Sequence, residues 1–187
     1  MKYLIAGLGN IGQEYENTRH NIGFRVLDFI AETEKLSFKS DRYAAQCEMK
    51  FKGRTLILIK PSTYMNLSGK ALNYWMQKES ISSENIFVLC DDLALPFGSI
   101  RIKGKGSDGG HNGLSNIIEI LKTQDFARLR FGIGNQFHKG KQVDYVLGEW
   151  SDEENKLLPE RYEKMAEAVK SFVTIGLERS MNFFNGK

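Results

Sequence analysis

Apolar positions recur along the chain in two rhythms, and their alternation outlines a fold. An unbroken apolar segment over residues 2–8 reads as a buried strand that ends at the Gly7-Leu8-Gly9-Asn10 turn. Ile22, Val26, Phe29 and Ile30 then fall at i, i+4, i+7 and i+8, which predicts a helix over about 21–35 with one face against a core. Residues 43–51 and 54–60 are a predicted hairpin around Lys52-Gly53. Pro61 stops its second strand, and a helix follows over about 68–78. Ile86, Phe87, Val88 and Leu89 mark a core strand over 85–91 that delivers Asp91 and Asp92 at its end. A short strand over 99–103 leads into a glycine-rich loop, Gly104 to Gly110, and a helix over about 112–122. A further strand covers 128–133. Ser151 and Glu154 have capping-box spacing. Beyond them Met165, Val169, Phe172 and Val173 repeat as the stripe of an amphipathic helix. Strands interleaved with helices predict an α/β fold with a mainly parallel or mixed sheet, and chemistry in such folds gathers where strands end and loops begin.

Several features at those ends invite a chemical reading. Gly7-Leu8-Gly9-Asn10-Ile11-Gly12 is a literal G-x-G-x-x-G after a strand. A dinucleotide site needs its helix to open inside that motif and an acidic residue at the end of a second strand. Here Gln13 to Thr18 is polar, the helical stripe begins only near Ile22, and Asp28 and Glu32 sit inside the helix pattern. The glycines are therefore read as a tight strand-to-loop turn that carries Asn10. His20 stands just before the helix, and a general base needs a partner that fixes its tautomer, for which Asp91 is the right kind of residue. The Asp91-Asp92 pair has no His or Asp at ligand spacing beside it, which argues against a metal. Cys90 ends an apolar run and reads as a packed, inert thiol. There is no G-x-S-x-G elbow.

Gly109-Gly110-His111-Asn112-Gly113-Leu114 runs a glycine loop into a helix, a place that can receive an anion. Asn10, Asn66 and Asn112 occupy three such loops, and neutral amides that donate and accept suit an ester or peptide backbone. Arg101, Lys103 and Lys105 alternate along one strand and Arg128 and Arg130 along another, with Lys139 and Lys141 beyond; neighbouring basic strands would make a phosphate cradle.

Composition narrows the class without deciding it. The 187 residues carry a net charge of +3, 41% hydrophobic and 26% charged residues, as expected for one globular domain over 1–187. No apolar run approaches the roughly 20 residues that span a bilayer, and the start has no signal-peptide layout. Two cysteines are too few for a disulfide framework. A cytoplasmic protein without membrane contact is the expectation.

The motifs in combination are more specific than any one of them. Gly7-Leu8-Gly9-Asn10, Tyr15 with Thr18-Arg19-His20-Asn21-Ile22-Gly23, Tyr64-Met65-Asn66-Leu67-Ser68-Gly69, Asp91 followed by Leu95-Pro96 and Gly98, Gly109 to Leu114, and Arg128-Leu129-Arg130-Phe131-Gly132-Ile133-Gly134 occur in order. The set closely resembles the bacterial-type peptidyl-tRNA hydrolase family over nearly the whole chain. The resemblance implies a monomeric α/β globule with a twisted mixed sheet flanked by helices. It implies an enzyme that cuts the ester between peptide and tRNA without metal or cofactor, with peptidyl-tRNA as its partner. By it, His20 matches the catalytic base, Asp91 the carboxylate that orients it, and Asn10 a residue that distinguishes peptidyl- from aminoacyl-tRNA. Tyr15, Tyr64, Asn66 and Asn112 match positions around the peptide and the terminal adenosine. Lys103 and Arg130 match a basic pair for the tRNA 5′-phosphate region, with Lys105 and His111 nearby. The chain departs from the family at Ala94, where relatives often carry an acid, and at Asn135-Gln136-Phe137-His138. The competing expectations are a non-catalytic RNA-binding relative of the same fold and a nucleotide-dependent oxidoreductase.

Overall fold

A computed structural model describes residues 1–186. Seven strands form one mixed sheet: β1 (Lys2–Gly7), β2 (Lys39–Asp41), β3 (Ala44–Phe51), β4 (Arg54–Pro61), β5 (Ile86–Asp92), β6 (Ile100–Lys105) and β7 (Asp125–Gly132), in the order β2-β3-β4-β1-β5-β7-β6. β1 pairs in parallel with β4 and β5, and β5 with β7, so Pro61, Gly7, Asp92 and Gly132 end along one rim. β3 and β6 run antiparallel to their neighbours β4 and β7. β2, three exposed residues at the sheet edge, lacks the apolar alternation that would announce it in the sequence.

Six α-helices flank the sheet: α1 (Ile22–Thr33), α2 (Ser68–Glu79), α3 (Asn112–Leu121), α4 (Gln142–Val146), α5 (Asp152–Ile175) and α6 (Leu177–Phe184). Two cores result. One packs α1 and α5 against Ile5, Leu58, Phe87 and Leu129, with the Phe87 and Phe172 rings stacked at 4.5 Å. The other packs α2 and α3 against Leu4, Ala6, Ile59 and Val88. The alternation along β1 and β5 thus feeds both faces, as a strand covered on two sides requires. The predicted capping box at Ser151 and Glu154 is present. α4 and α6 were not legible: the first has no buried residue, and the second follows α5 after the single break at Gly176.

Close contact between α1 and the sheet explains two of the glycines. A side chain on Gly7 would run into the Gly23 carbonyl, and one on Gly23 would meet the backbone of Leu8 and Leu89. The helix start therefore lies against the ends of β1 and β5, which brings the residues just before α1 over the end of β5. A side chain on Gly9 would likewise meet the Phe24 ring, so packing against α1 accounts for the G-x-G motif without a nucleotide. At the opposite edge, the open backbone of β6 is covered by Asn185. Its amide accepts from Ile102 N at 2.7 Å and donates to Ile102 O at 2.9 Å, which blunts an exposed strand edge.

Candidate active site

His20 lies in a 3-10 turn over Arg19–Asn21, held from both sides. Arg19 N donates to Gly148 O, and its guanidinium lies 4.3 Å over the Tyr145 ring and 3.3 Å from Glu154. Asn21 uses its amide twice, accepting from Asn10 N at 2.8 Å and donating to Asn10 O at 2.9 Å. The ring of His20, 9% exposed, projects over the end of β5 and places Nδ1 2.9 and 3.0 Å from the two oxygens of Asp91. Asp91, 2% exposed, takes a second imidazole on the same carboxylate, with His111 Nε2 2.9 Å from Oδ1.

The tautomers follow from the partners. His111 is the N-cap of α3, and its Nδ1 accepts from Gly113 N and Leu114 N. Nε2 therefore carries the hydrogen and donates to Asp91. The helix start that seemed suited to an anion is thus filled by its own capping ring. Because Asp91 accepts from Nδ1–H of His20, Nε2 of His20 is the free basic atom, and it has no hydrogen-bond partner among the described residues. Burial works against charging His20, but the Asp91 charge and hydrogen bond outweigh it and raise the imidazole above its ordinary 6.5. Burial also disfavours the Asp91 anion, yet the two imidazoles hold the carboxyl well below its usual range. Burial pushes the Cys90 thiol far up, in keeping with an inert packed side chain.

Asn10 is fixed with equal economy. Its Oδ1 accepts from Met65 N at 2.7 Å, so its amide NH2 is the end left to donate. Tyr64, just before Met65, is held at φ 60° and ψ 162°, a region a side chain rarely occupies, and its ring is exposed. His20, Asp91, His111, Asn112 and Arg130 line one small pocket of about 80 Å³, closed on one side by Gln142, Val143 and Val146 of α4. Asn10 joins it through Asn21 rather than lining it, and Tyr15, Tyr64 and Asn66 are not among the lining residues.

The basic strands resolve into two kinds of residue. Arg101 faces Arg130 and Lys103 faces Arg128 across the β6–β7 ladder, so the four share one face. Arg128, however, is 0% exposed and not a surface cation. It donates to the carbonyls of Gly106, Ser107, Gln124 and Phe126 and so holds the glycine-rich loop on the sheet. Burial and the neighbouring Arg130 charge lower its pKa to about 10. Arg130, 8% exposed, binds Ser107 O at 2.7 Å and lies 3.6 Å from Asp92. Lys103 and Arg101 are exposed and without an ion-pair partner among the described residues, and Lys105 pairs loosely with Asp125 at 3.4 Å.

His20, Asp91 and His111 also offer three ligand atoms within 4.8 Å of one another. Spacing along the chain does not reveal this cluster, because the two rings arrive from positions 71 and 20 residues away from Asp91. Metal binding there would require both bridging N–H hydrogens to leave. Asp92 is turned aside to accept from Ala94 N.

The profile of the peptidyl-tRNA hydrolase family matches residues 4–187. This chain belongs to that family. The peptidyl-tRNA hydrolase of Phocaeicola vulgatus is 59% identical over 187 residues, covering all of both chains. That of Caldanaerobacter subterraneus is 48% identical, covering 98% of this chain and all of the relative. The crystal structure of peptidyl-tRNA hydrolase from Acinetobacter baumannii superimposes with a TM-score of 0.92 at 34% identity, covering 98% of this chain and 94% of that one. Membership fits what the geometry shows: a strand rim that presents a histidine bonded to a buried carboxylate, beside an amide whose oxygen is already engaged. His111, expected beside the tRNA phosphates, and Asn21, expected only as part of a motif, each act on a neighbouring site residue. Asn21 locks Asn10, and His111 adds a second hydrogen to Asp91.

Proposed function

We propose that the chain hydrolyses the ester joining a peptide, or an N-blocked amino acid, to the 3′-terminal ribose of tRNA, and so returns tRNA to use. The observation that carries this is the His20–Asp91 pair, with Nδ1 committed to the carboxylate and Nε2 open to the pocket. Nε2 takes a proton from water as the water oxygen attacks the ester carbonyl. The developing oxyanion is met by a neutral amide: Asn112 lines the pocket itself, and Asn10 has its NH2 free in the adjoining turn. As the carbonyl re-forms, the imidazolium gives its proton to the departing ribose oxygen, leaving free tRNA and a peptide carboxylic acid that loses its proton to solvent. Asp91 steadies the imidazolium throughout, and His111 keeps Asp91 ionised. A non-catalytic RNA-binding protein would have no need of this committed tautomer.

Lys103, with Arg101 and Lys105 beside it, is assigned to tRNA phosphates, and Arg130 links that face to the pocket. We place the protein in the cytoplasm, in line with two buried free thiols, and as a monomer, as the family resemblance implies. No helix among the described residues is long and apolar enough to cross a membrane.

The test is release of N-acetyl amino acid from N-acetyl-aminoacyl-tRNA. Release that survives EDTA supports the reading, and no release overturns it. For the RNA face, Lys103→Ala weakens tRNA binding and flattens the dependence of log K on log salt by roughly 0.7–0.9. An unchanged slope removes Lys103 from the contact.

A further inference from the structure

The pocket beside His20 measures about 80 Å³, whereas a larger cavity reaching Asn10 and Asn21 has no part in the chemistry above. That cavity, about 400 Å³, is a groove between α1 and the start of the β3–β4 hairpin. Its volume falls within the roughly 300–1,000 Å³ of ordinary ligand sites. It begins at Asn10 and Asn21, the interlocked amides adjoining His20, and runs over Phe24 and Ala45 to Ser40 and Ser62.

Strand order gives this groove a direction. β5, β7 and β6 lie on one side of β1 and carry Arg130 and the exposed cations Arg101 and Lys103. β4 and β3 lie on the other side and carry the groove. An ester held at His20 therefore has its phosphate-bearing half over the cationic strands and its acyl half toward the groove. The chemistry of the walls agrees. The charges there are paired within the wall, Lys60 with Asp28 at 2.5 Å and Arg25 with Glu16 at 3.5 Å. Phe24 and Ala45 add apolar surface between them. A lining of internally paired charge around an aromatic ring offers little to a phosphate and suits a peptide segment.

Resting on the function proposed above, we propose that this groove is the subsite for the residue that precedes the ester-linked one in the peptide, with bulky apolar side chains favoured. The chain then distinguishes peptides by their second residue, while the ester-linked residue itself stays near His20.

Two substrates that differ only there provide the test: N-acetyl-Trp-Phe-tRNA and N-acetyl-Gly-Phe-tRNA. The unaltered chain cleaves the first with a kcat/KM about tenfold above the second, the return on burying the larger side chain. Ala45→Phe, which places a ring in the groove, brings that ratio to near one. Ser40→Trp, an exposed strand position at the far wall, lowers the ratio by an independent route. A ratio near one in the unaltered chain, or a tenfold ratio that persists in both variants, overturns the subsite. Failure of the unaltered chain to cleave either substrate counts against the hydrolase reading itself, a separate outcome from indifference to the second residue.

Discussion

His20→Ala lowers turnover of N-acetyl-aminoacyl-tRNA by about 10²–10⁴-fold, the contribution of a well-placed general base. The loss falls on kcat. Nothing in the ring's surroundings makes it a pillar of the fold: it contacts Asp91 and the His111 ring, and the turn that carries it is held by Arg19 and Asn21. With affinity for tRNA assigned to the exposed cations of the β6–β7 face, tRNA binding is expected to change little. A variant that kept near-full turnover would mean that water is activated by another group.

Asp91→Asn has an effect of the same order or larger, about 10³–10⁴-fold in turnover, for a reason of tautomer as well as charge. An asparagine amide can donate to Nδ1 of His20, which moves the ring hydrogen onto Nε2 and removes the base. The pH profile separates this from simple loss of packing. In the native chain the active form has neutral His20, so the rate is lost as pH falls through an imidazole pKa raised above 6.5. Without the carboxylate only burial acts on the ring, and the acid limb of the remaining activity moves below 6.5. Stability follows the same groups with opposite signs. The depressed Asp91 contributes stability that is present above 3.8, its ordinary value, and is lost as pH falls through the folded-state value. The raised His20 contributes stability that is full below 6.5 and is lost as pH rises through its folded-state value. Urea unfolding of Asp91→Asn should therefore show a weaker pH dependence on both sides. An unchanged acid limb would mean that Asp91 does not govern the base.

Much of this arrangement was legible in the chain itself. Apolar periodicity located the strands that matter, and the end of β5 fell where Asp91 required it, because a strand covered on both faces is a continuous apolar run. His20 and Asp91 were paired by chemical need, the motif order supplied the family, and the geometry brought them to 2.9 Å. The less visible parts share one cause. Arg128 alternates with Arg130 just as a surface cation would, and only the folding of the 106–107 carbonyls over it shows that it is internal. His111 stands beside glycines and an asparagine in a way that suggested a ligand loop, whereas its role is set by two amide hydrogens of its own helix and by a carboxylate from another strand. Asn21 looked like part of a motif and proved to be the lock on Asn10. Each depends on a side-chain contact made by loops and turns in the folded chain, and periodicity carries no record of those.

With His20 as base, the site is proposed to hydrolyse an ester bearing a blocked amine on tRNA. One tRNA charged with one amino acid, measured with the amine free and with it acetylated, tests that most directly. Rapid release of the acetylated amino acid, abolished by His20→Ala, and far slower release of the free one are expected. Equal rates for the two, or release that is indifferent to His20, would contradict it.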